Sequence, residues 1–236
     1  MIIDTKDIQD LKKYFSNKYN KKIFLITGYN SFIKSKANKI FNNIINKNSV
    51  NFYFKKSSNP DVIELKLIIK ELIKFKPNII LAIGGGSVID YAKLSNVLYN
   101  EKNLSLKILK NKYKIKKKFA PLIAIPTTAG SGAEETSFST IYVNKVKYSV
   151  ESNLMKPDQV FIIPQLIFNC TKKIKSSSGF DAISQAIESL VSRNSNIKSV
   201  KYSIKSLEYT LKNYLNYIKD PSLKNSYYML LGANYA

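Results

Sequence analysis

Four short stretches hold residues whose types and spacing can do chemistry. Gly84-Gly85-Gly86-Ser87 separates an apolar run, Asn78 to Ile83, from a helical pattern starting at Val88. Glycines there let the backbone close on a ligand, and a helix N-terminus offers unpaired N–H groups to an anion such as a diphosphate. A tight strand-to-helix turn with Ser87 as N-cap fits the same residues. The stretch is neither GxGxxG nor a Walker loop. Asp90 and Lys93 follow at helical spacing, which directs Ser87 and Asp90 to the same side. An ordinary first-turn acid on the helix dipole is the other reading of Asp90. Pro126 to Glu134 (PTTAGSGAE) follows a second apolar run, Leu122 to Ile125. Its short hydroxyl side chains can wrap a ligand at the end of a strand, or simply make a surface turn. Asp181 and Gln185, spaced i, i+4, share a helix face. A carboxylate with an amide oxygen can hold a hard divalent cation, yet two donors are not a site, and Glu188 is either a third contact or a solvated charge.

Composition removes several alternatives. The 236 residues include no histidine, so no Ser-His-Asp or Cys-His centre exists in this sequence and no imidazole is offered to a metal. Cys170 is the single cysteine and cannot make an internal disulfide. The formal charge of +22 invites nucleic acid, but Arg193 is the only arginine and the lysines are dispersed over solvated faces. Lys110 to Lys118 (KNKYKIKKK) reads as a basic surface loop. The N-terminus starts like an amphipathic helix without a signal-peptide run, and no window reaches the roughly 18 apolar residues of a membrane span. The expectation is a cytoplasmic protein with neither nucleic acid nor membrane as partner.

The elements that must position these residues follow from periodicity. Lys22 to Thr27 is a strand ending at Gly28, Ser31 to Ile45 has helical spacing, and Asn51 to Phe54 is a second strand. After Asn59-Pro60, Asp61 to Phe75 is an amphipathic helix stopped by Pro77. Asn78 to Ile83 and Leu122 to Ile125 are continuous apolar runs of the kind buried on both faces of a sheet. Helix Val88 to Tyr99 lies between them, and Phe138 to Val143 and Val160 to Ile163 are further strands. Beyond Pro164 only helical patterns remain: Gly179 to Ser192, Ile197 to Ile218, and Ser222 onward. The progression predicts an α/β dinucleotide-binding domain over 1–164 with a mostly parallel sheet. Residues 165–236 begin an all-α domain.

Gly84 to Lys93 (GGGSVIDYAK), Pro126 to Glu134 and Gly179 to Glu188 (GFDAISQAIE) resemble, in order and spacing, three signatures of the iron-containing (group III) alcohol dehydrogenases. The resemblance implies hydride transfer between NAD(P)H and a small alcohol or aldehyde in a cleft between the two domains. By position it assigns Gly85, Gly86 and Ser87 to the diphosphate loop and Asp90 to the nicotinamide end. Thr127, Thr128, Ser131 and Thr136 fall in the second cofactor loop, with Asn59 and Lys147 as further cofactor contacts. Gly28 stands where NAD-preferring members often carry an acid, which implies tolerance of a 2′-phosphate. The family metal, iron or zinc, would take Asp181, but Gln185 replaces the first family histidine, and an amide oxygen is the weaker ligand. The other family histidines fall past the equivalent of Ala236, so the resemblance implies a chain cut short. Gln185, with Val146 to Ser149, is most similar to the phosphonoacetaldehyde reductase branch, which makes 2-hydroxyethylphosphonate in phosphonate biosynthesis. A general alcohol dehydrogenase, or a non-catalytic cofactor-binding fragment of one, fits the same motifs; no catalytic residue is assigned, and a homodimer is compatible.

Overall fold

The computed structural model describes residues 7–16, 18 and 20–236. Residues 1–6, where the sequence starts like an amphipathic helix, lie outside the described residues. The first helix, α1 (Ile8–Ser16), buries Leu11 and Phe15, four residues apart on one face. Strand β1 (Lys22–Thr27) leads into three short helices, α2 (Tyr29–Lys34), α3 (Ala37–Ile40) and α4 (Asn42–Asn46), then β2 (Ser49–Phe54). The single helix expected over 31–45 is therefore broken. Lys36 takes a left-handed conformation (φ 62°) between α2 and α3, and Phe41 leaves helical geometry between α3 and α4. Apolar spacing continues through both breaks, because Phe32, Ala37 and Phe41 all reach the core.

Helix α5 (Val62–Phe75) begins where Asp61 accepts the N–H of Ile63 and ends at Lys76, left-handed at φ 52° just before Pro77. Strand β3 (Ile79–Gly84) passes directly into α6 (Gly86–Leu98). The N-cap of α6 is Gly85 rather than Ser87, which sits inside the first turn. The short α7 (Leu104–Leu109) and an irregular basic segment precede β4 (Leu122–Pro126). A hairpin follows, β5 (Phe138–Val143) and β6 (Val146–Glu151), turned by Asn144 and Lys145, both at positive φ as a two-residue turn of matching twist requires.

Among the described residues, five strands form one parallel sheet in the order β2-β1-β3-β4-β7, where β7 is Gln159–Val160. The strand expected over 160–163 pairs only at its start; Phe161 to Ile163 run on buried, and Pro164 opens α8 (Pro164–Phe168). Alternate residues of the central strands supply two cores. Phe24, Ile26, Ile80, Ala82, Leu122 and Ala124 face α5 and α6. Ile23, Leu25, Leu81, Ile83, Ile123 and Ile125 face α1, Phe41 and Phe161. Each such fully buried Ile or Leu contributes roughly 1.5–3 kcal/mol, which is why these strands read as unbroken apolar runs.

Beyond Pro164 the described chain is helical: α9 (Lys172–Val191), α10 (Ile197–Lys219) and α11 (Leu223–Tyr235). Helix α9 starts seven residues before the expected Gly179, because Thr171 accepts the N–H of Ile174 and caps it. Asn196 and Ser199 make a capping box on α10, and Ser222 caps α11. Ala182, Tyr217, Met229, Leu230 and Ala233 pack on Ala129, so the loop after β4 is wedged between sheet and helices. No described helix is long and apolar enough to cross a membrane.

Candidate cofactor site

The strand order reverses at β1, whose neighbours are β2 on one side and β3 on the other. In open α/β sheets, ligands bind outside the carboxyl ends of the strands at such a point. Four turns meet there: Gly28 after β1, Lys55 after β2, Gly84 to Ser87 after β3, and Thr127 to Ser131 after β4. They are pinned to the sheet. Thr27 Oγ1 donates to the carbonyl of Ile83 at 2.6 Å, and the Thr127 N–H donates to the carbonyl of Gly84 at 2.9 Å.

No side chain caps α6, so its first-turn N–H groups stay free of side-chain partners and carry the positive end of the helix dipole. The second loop crosses in front of them. A Cβ at Gly85 would lie 3.0 Å from Thr128 Oγ1, and one at Gly86 would lie 2.6 Å from Ser131 Oγ. The glycines thus allow two hydroxyls to approach the helix start. Donors from two loops and a helix terminus form a cradle suited to a diphosphate.

The turn after β2 is fastened to the same place. Ser87 Oγ donates to the carbonyl of Ser58 at 3.1 Å. The Glu64 carboxylate accepts the N–H groups of Lys56 and Ser57 at 2.6 and 2.9 Å, and Tyr91 donates its hydroxyl to it at 2.9 Å. Burial works to raise the Glu64 pKa, but these hydrogen bonds hold it below the ordinary carboxylate value. Tyr91 also accepts the Asp61 N–H at 2.7 Å and donates weakly to the carbonyl of Asn59 at 3.4 Å. Motif reading missed Glu64 and Tyr91; the Asp61-to-Glu64 spacing, which looks like a capping box, was the available signal.

Asp90 and Lys93 join α6 to the elements beyond it. Asp90, 9% exposed, accepts the N–H and the hydroxyl of Thr140 at 3.3 and 2.9 Å. Lys93 is fully buried and donates to the carbonyls of Ala133 and Phe138 and to Thr136 Oγ1, at 2.9, 2.5 and 2.9 Å. Burial pushes Lys93 down to about 8 against the pull of Asp90 and Glu134. Burial likewise raises Asp90 and pushes Glu134 up to about 7.

The structure therefore brings Gly85, Gly86, Ser87, Thr127, Thr128 and Ser131 together, with Gly28 one strand away and Asn59 on the adjoining turn. Thr136 is engaged by Lys93. Lys147 is exposed on β6 opposite Tyr142, and its side chain makes no hydrogen bond among the described residues. A cleft of about 660 Å³ runs from Ser131 and Thr136 past Lys156 to Gln185 and Tyr202.

Asp181 and Gln185 do share the face of α9 that their spacing implies. Gln185 Nε2 donates to Asp181 Oδ2 at 3.0 Å, which ties the two side chains together on an exposed surface. Among the described residues no group of three or more His, Cys, Asp or Glu converges, and these two donors do not fit a metal centre.

The iron-containing alcohol dehydrogenase family profile matches residues 1–164. An alcohol dehydrogenase of Thermococcus barophilus is 31% identical over 137 residues, 56% of this chain and 36% of that protein. A 4-hydroxybutyrate dehydrogenase of Clostridium kluyveri is 29% identical over 179 residues, 72% of this chain and 46% of that one. The chain thus spans less than half the length of these two relatives. The crystal structure of an iron-containing alcohol dehydrogenase from Thermotoga maritima superposes with TM-score 0.85 at 24% identity, covering 98% of this chain and 64% of the other. The NAD+ complex of sulfoacetaldehyde reductase from Bifidobacterium kashiwanohense superposes with TM-score 0.84 at 23% identity, covering 97% and 60%. Those two likenesses are of fold. With its parallel sheet, its glycine turn and a family match over more than half its length, the chain belongs to the iron-containing alcohol dehydrogenase family.

Proposed function

We propose that this chain binds NAD(P)H and serves the reduction of a small aldehyde to an alcohol. In this reading residues 1–164 are the dinucleotide-binding domain and 165–236 begin the helical side of the substrate cleft. The observation that supports it most is the cradle in which Thr128 and Ser131 meet Gly85 and Gly86 at the uncapped start of α6. When bound, a nicotinamide dinucleotide supplies a hydride to the carbonyl carbon, and binding and orientation are left to the protein. The α6 terminus and the hydroxyls of Thr128 and Ser131 hold the diphosphate. Ser87 and Tyr91 fix the turn at Asn59 against α6, and Lys93 fixes the second loop through Ala133 and Thr136. The cleft between Ser131 and Gln185 takes the aldehyde. Lys147, exposed on β6, is a further cofactor contact in this reading.

For the substrate we favour phosphonoacetaldehyde, giving 2-hydroxyethylphosphonate as a step of phosphonate biosynthesis. That choice rests on Gln185 at the family histidine position and on Val146 to Ser149; Lys156 and Lys198, which line the cleft, suit a dianionic substrate. A general alcohol dehydrogenase is the alternative within the family. NADPH oxidation with phosphonoacetaldehyde and with simple alkyl aldehydes separates them: equal rates would remove the phosphonate assignment. That Asp181 and Gln185 are joined by no third ligand among the described residues favours one further reading, a cofactor-binding unit without turnover. Nucleotide binding by the 236-residue chain without aldehyde reduction is the result that would select it.

A further inference from the structure

Lys55 follows β2 directly, and the sheet fixes where it stands. Its N–H donates to the carbonyl of Thr27 at 2.8 Å, which lays it beside the turn at Gly28. A Cβ built at Gly28 would come within 4.0 Å of Lys55 Cε, so the lysine stem runs along the edge that the glycine leaves bare. Nζ donates to the carbonyls of Ser57 and Ser58 at 2.7 and 3.3 Å. Ser58 is the residue whose carbonyl also receives Ser87 Oγ, so the ammonium is anchored to the turn that touches the start of α6. An ammonium has three N–H donors, and these carbonyls use two. No carboxylate among the described residues forms an ion pair with Lys55. The half-buried ammonium is held directly by neutral oxygens alone, and the nearby Glu64 carboxylate acts on it only through space, being bonded to the N–H groups of Lys56 and Ser57 and to Tyr91.

The fold says which part of a dinucleotide passes there. The second loop and the cleft to Gln185 lie on the β4 side of α6, so the reacting end belongs on that side. The adenosine half then extends from the diphosphate the other way, over Gly28 at the end of β1 towards Lys55 at the end of β2. In doubly wound folds an acidic side chain takes the ribose hydroxyls of NAD, whereas a basic one accommodates the 2′-phosphate of NADP. Here the acid is missing and a cation fills the edge.

We propose that Lys55 pairs with the 2′-phosphate of the adenosine ribose and sets a preference for NADPH over NADH. The proposal rests on the dinucleotide reading of the Gly84 to Ser87 turn. Burial lowers the pKa of Lys55 while Glu64 opposes the shift, and a bound dianion would favour the charged ammonium further.

The test is calorimetric or fluorescence titration of the 236-residue chain, and of Lys55→Ala and Lys55→Arg, with NADPH, NADH and 2′,5′-ADP. One charge-assisted contact corresponds to about tenfold or more in affinity, so NADPH should bind about tenfold tighter than NADH. Lys55→Ala should bring that ratio close to one, and Lys55→Arg should retain it. 2′,5′-ADP should compete with NADPH and lose affinity in Lys55→Ala. Equal affinities of the unaltered chain for both nucleotides, or an unchanged ratio in a folded Lys55→Ala, would overturn the role of Lys55 while leaving the dinucleotide site standing. Absence of binding by either nucleotide would overturn both.

Discussion

Replacing Glu134 with Gln should change how stability depends on pH, and the buried contacts around Lys93 say by how much. Glu134 is 2% exposed, yet the nearest ammonium does not neutralise it fully. Lys93 gives its N–H groups to the oxygens of Ala133, Thr136 and Phe138 instead. Burial therefore dominates, and the carboxyl moves from its ordinary 4.5 to about 7. The folded state holds this proton more tightly than the unfolded chain does. Its contribution is complete below the unfolded value of 4.5 and is lost as pH rises through about 7. At about 1.36 kcal/mol per pH unit, the loss amounts to about 3 kcal/mol. A glutamine cannot ionise, so Glu134→Gln escapes it. Urea unfolding of both proteins from pH 4.5 to 8 should show the stability difference moving in favour of the variant by about 3 kcal/mol, most of it below pH 7.5. Titration of groups that do not interact with Glu134 cancels in that difference, whereas Lys93 and Glu135, which feel its charge, add a smaller part of their own. A difference that stays flat across the range would show that Glu134 remains ionised and that Lys93 acts as its ion partner, contrary to the contacts described here.

Gly86→Ala places a methyl 2.6 Å from Ser131 Oγ and should weaken NADPH binding by an order of magnitude or more in a titration; unchanged affinity would mean the cradle is not the diphosphate site. Gly28→Asp adds a carboxylate beside Lys55, so the ratio of NADPH to NADH affinity should fall below that of the unaltered chain. Tyr91→Phe removes the hydroxyl shared by Glu64 and the Asp61 N–H and should cost about 1–3 kcal/mol in denaturant unfolding. Addition of micromolar Zn²⁺ should leave the thermal midpoint of this chain within about 1 °C, because Asp181 and Gln185 offer only two oxygen donors; a rise of several degrees would reveal ligands elsewhere.

Much of the sheet was legible because burial on both faces writes itself as uninterrupted apolar sequence. Ile79 to Gly84 and Leu122 to Pro126 have no exposed position to interrupt the pattern. Strand β6 shows the opposite case: Val146, Lys147 and Ser149 face solvent and only Val150 is buried, so no alternation marks it. The breaks at Lys36 and Phe41 were hidden because a residue other than Gly or Pro carries the conformational change. At the site, the glycine and hydroxyl loops could be recognised from their places after strands. Their contact through Gly86 and Ser131 is tertiary and has no local signal. Lys55 went unremarked among dispersed lysines, since only strand pairing puts it beside Gly28. The spacing of Asp181 and Gln185 was informative about geometry but silent on whether they bond to a metal or to each other.

The most direct measurement of the central claim is amide hydrogen exchange of the 236-residue chain with and without saturating NADPH. The cradle requires saturable binding with slowed exchange at Gly85 to Ile89 and at Thr127 to Ser131 together, since both loops must hold the same diphosphate. Failure to bind, or protection confined to residues away from these two loops, would contradict it.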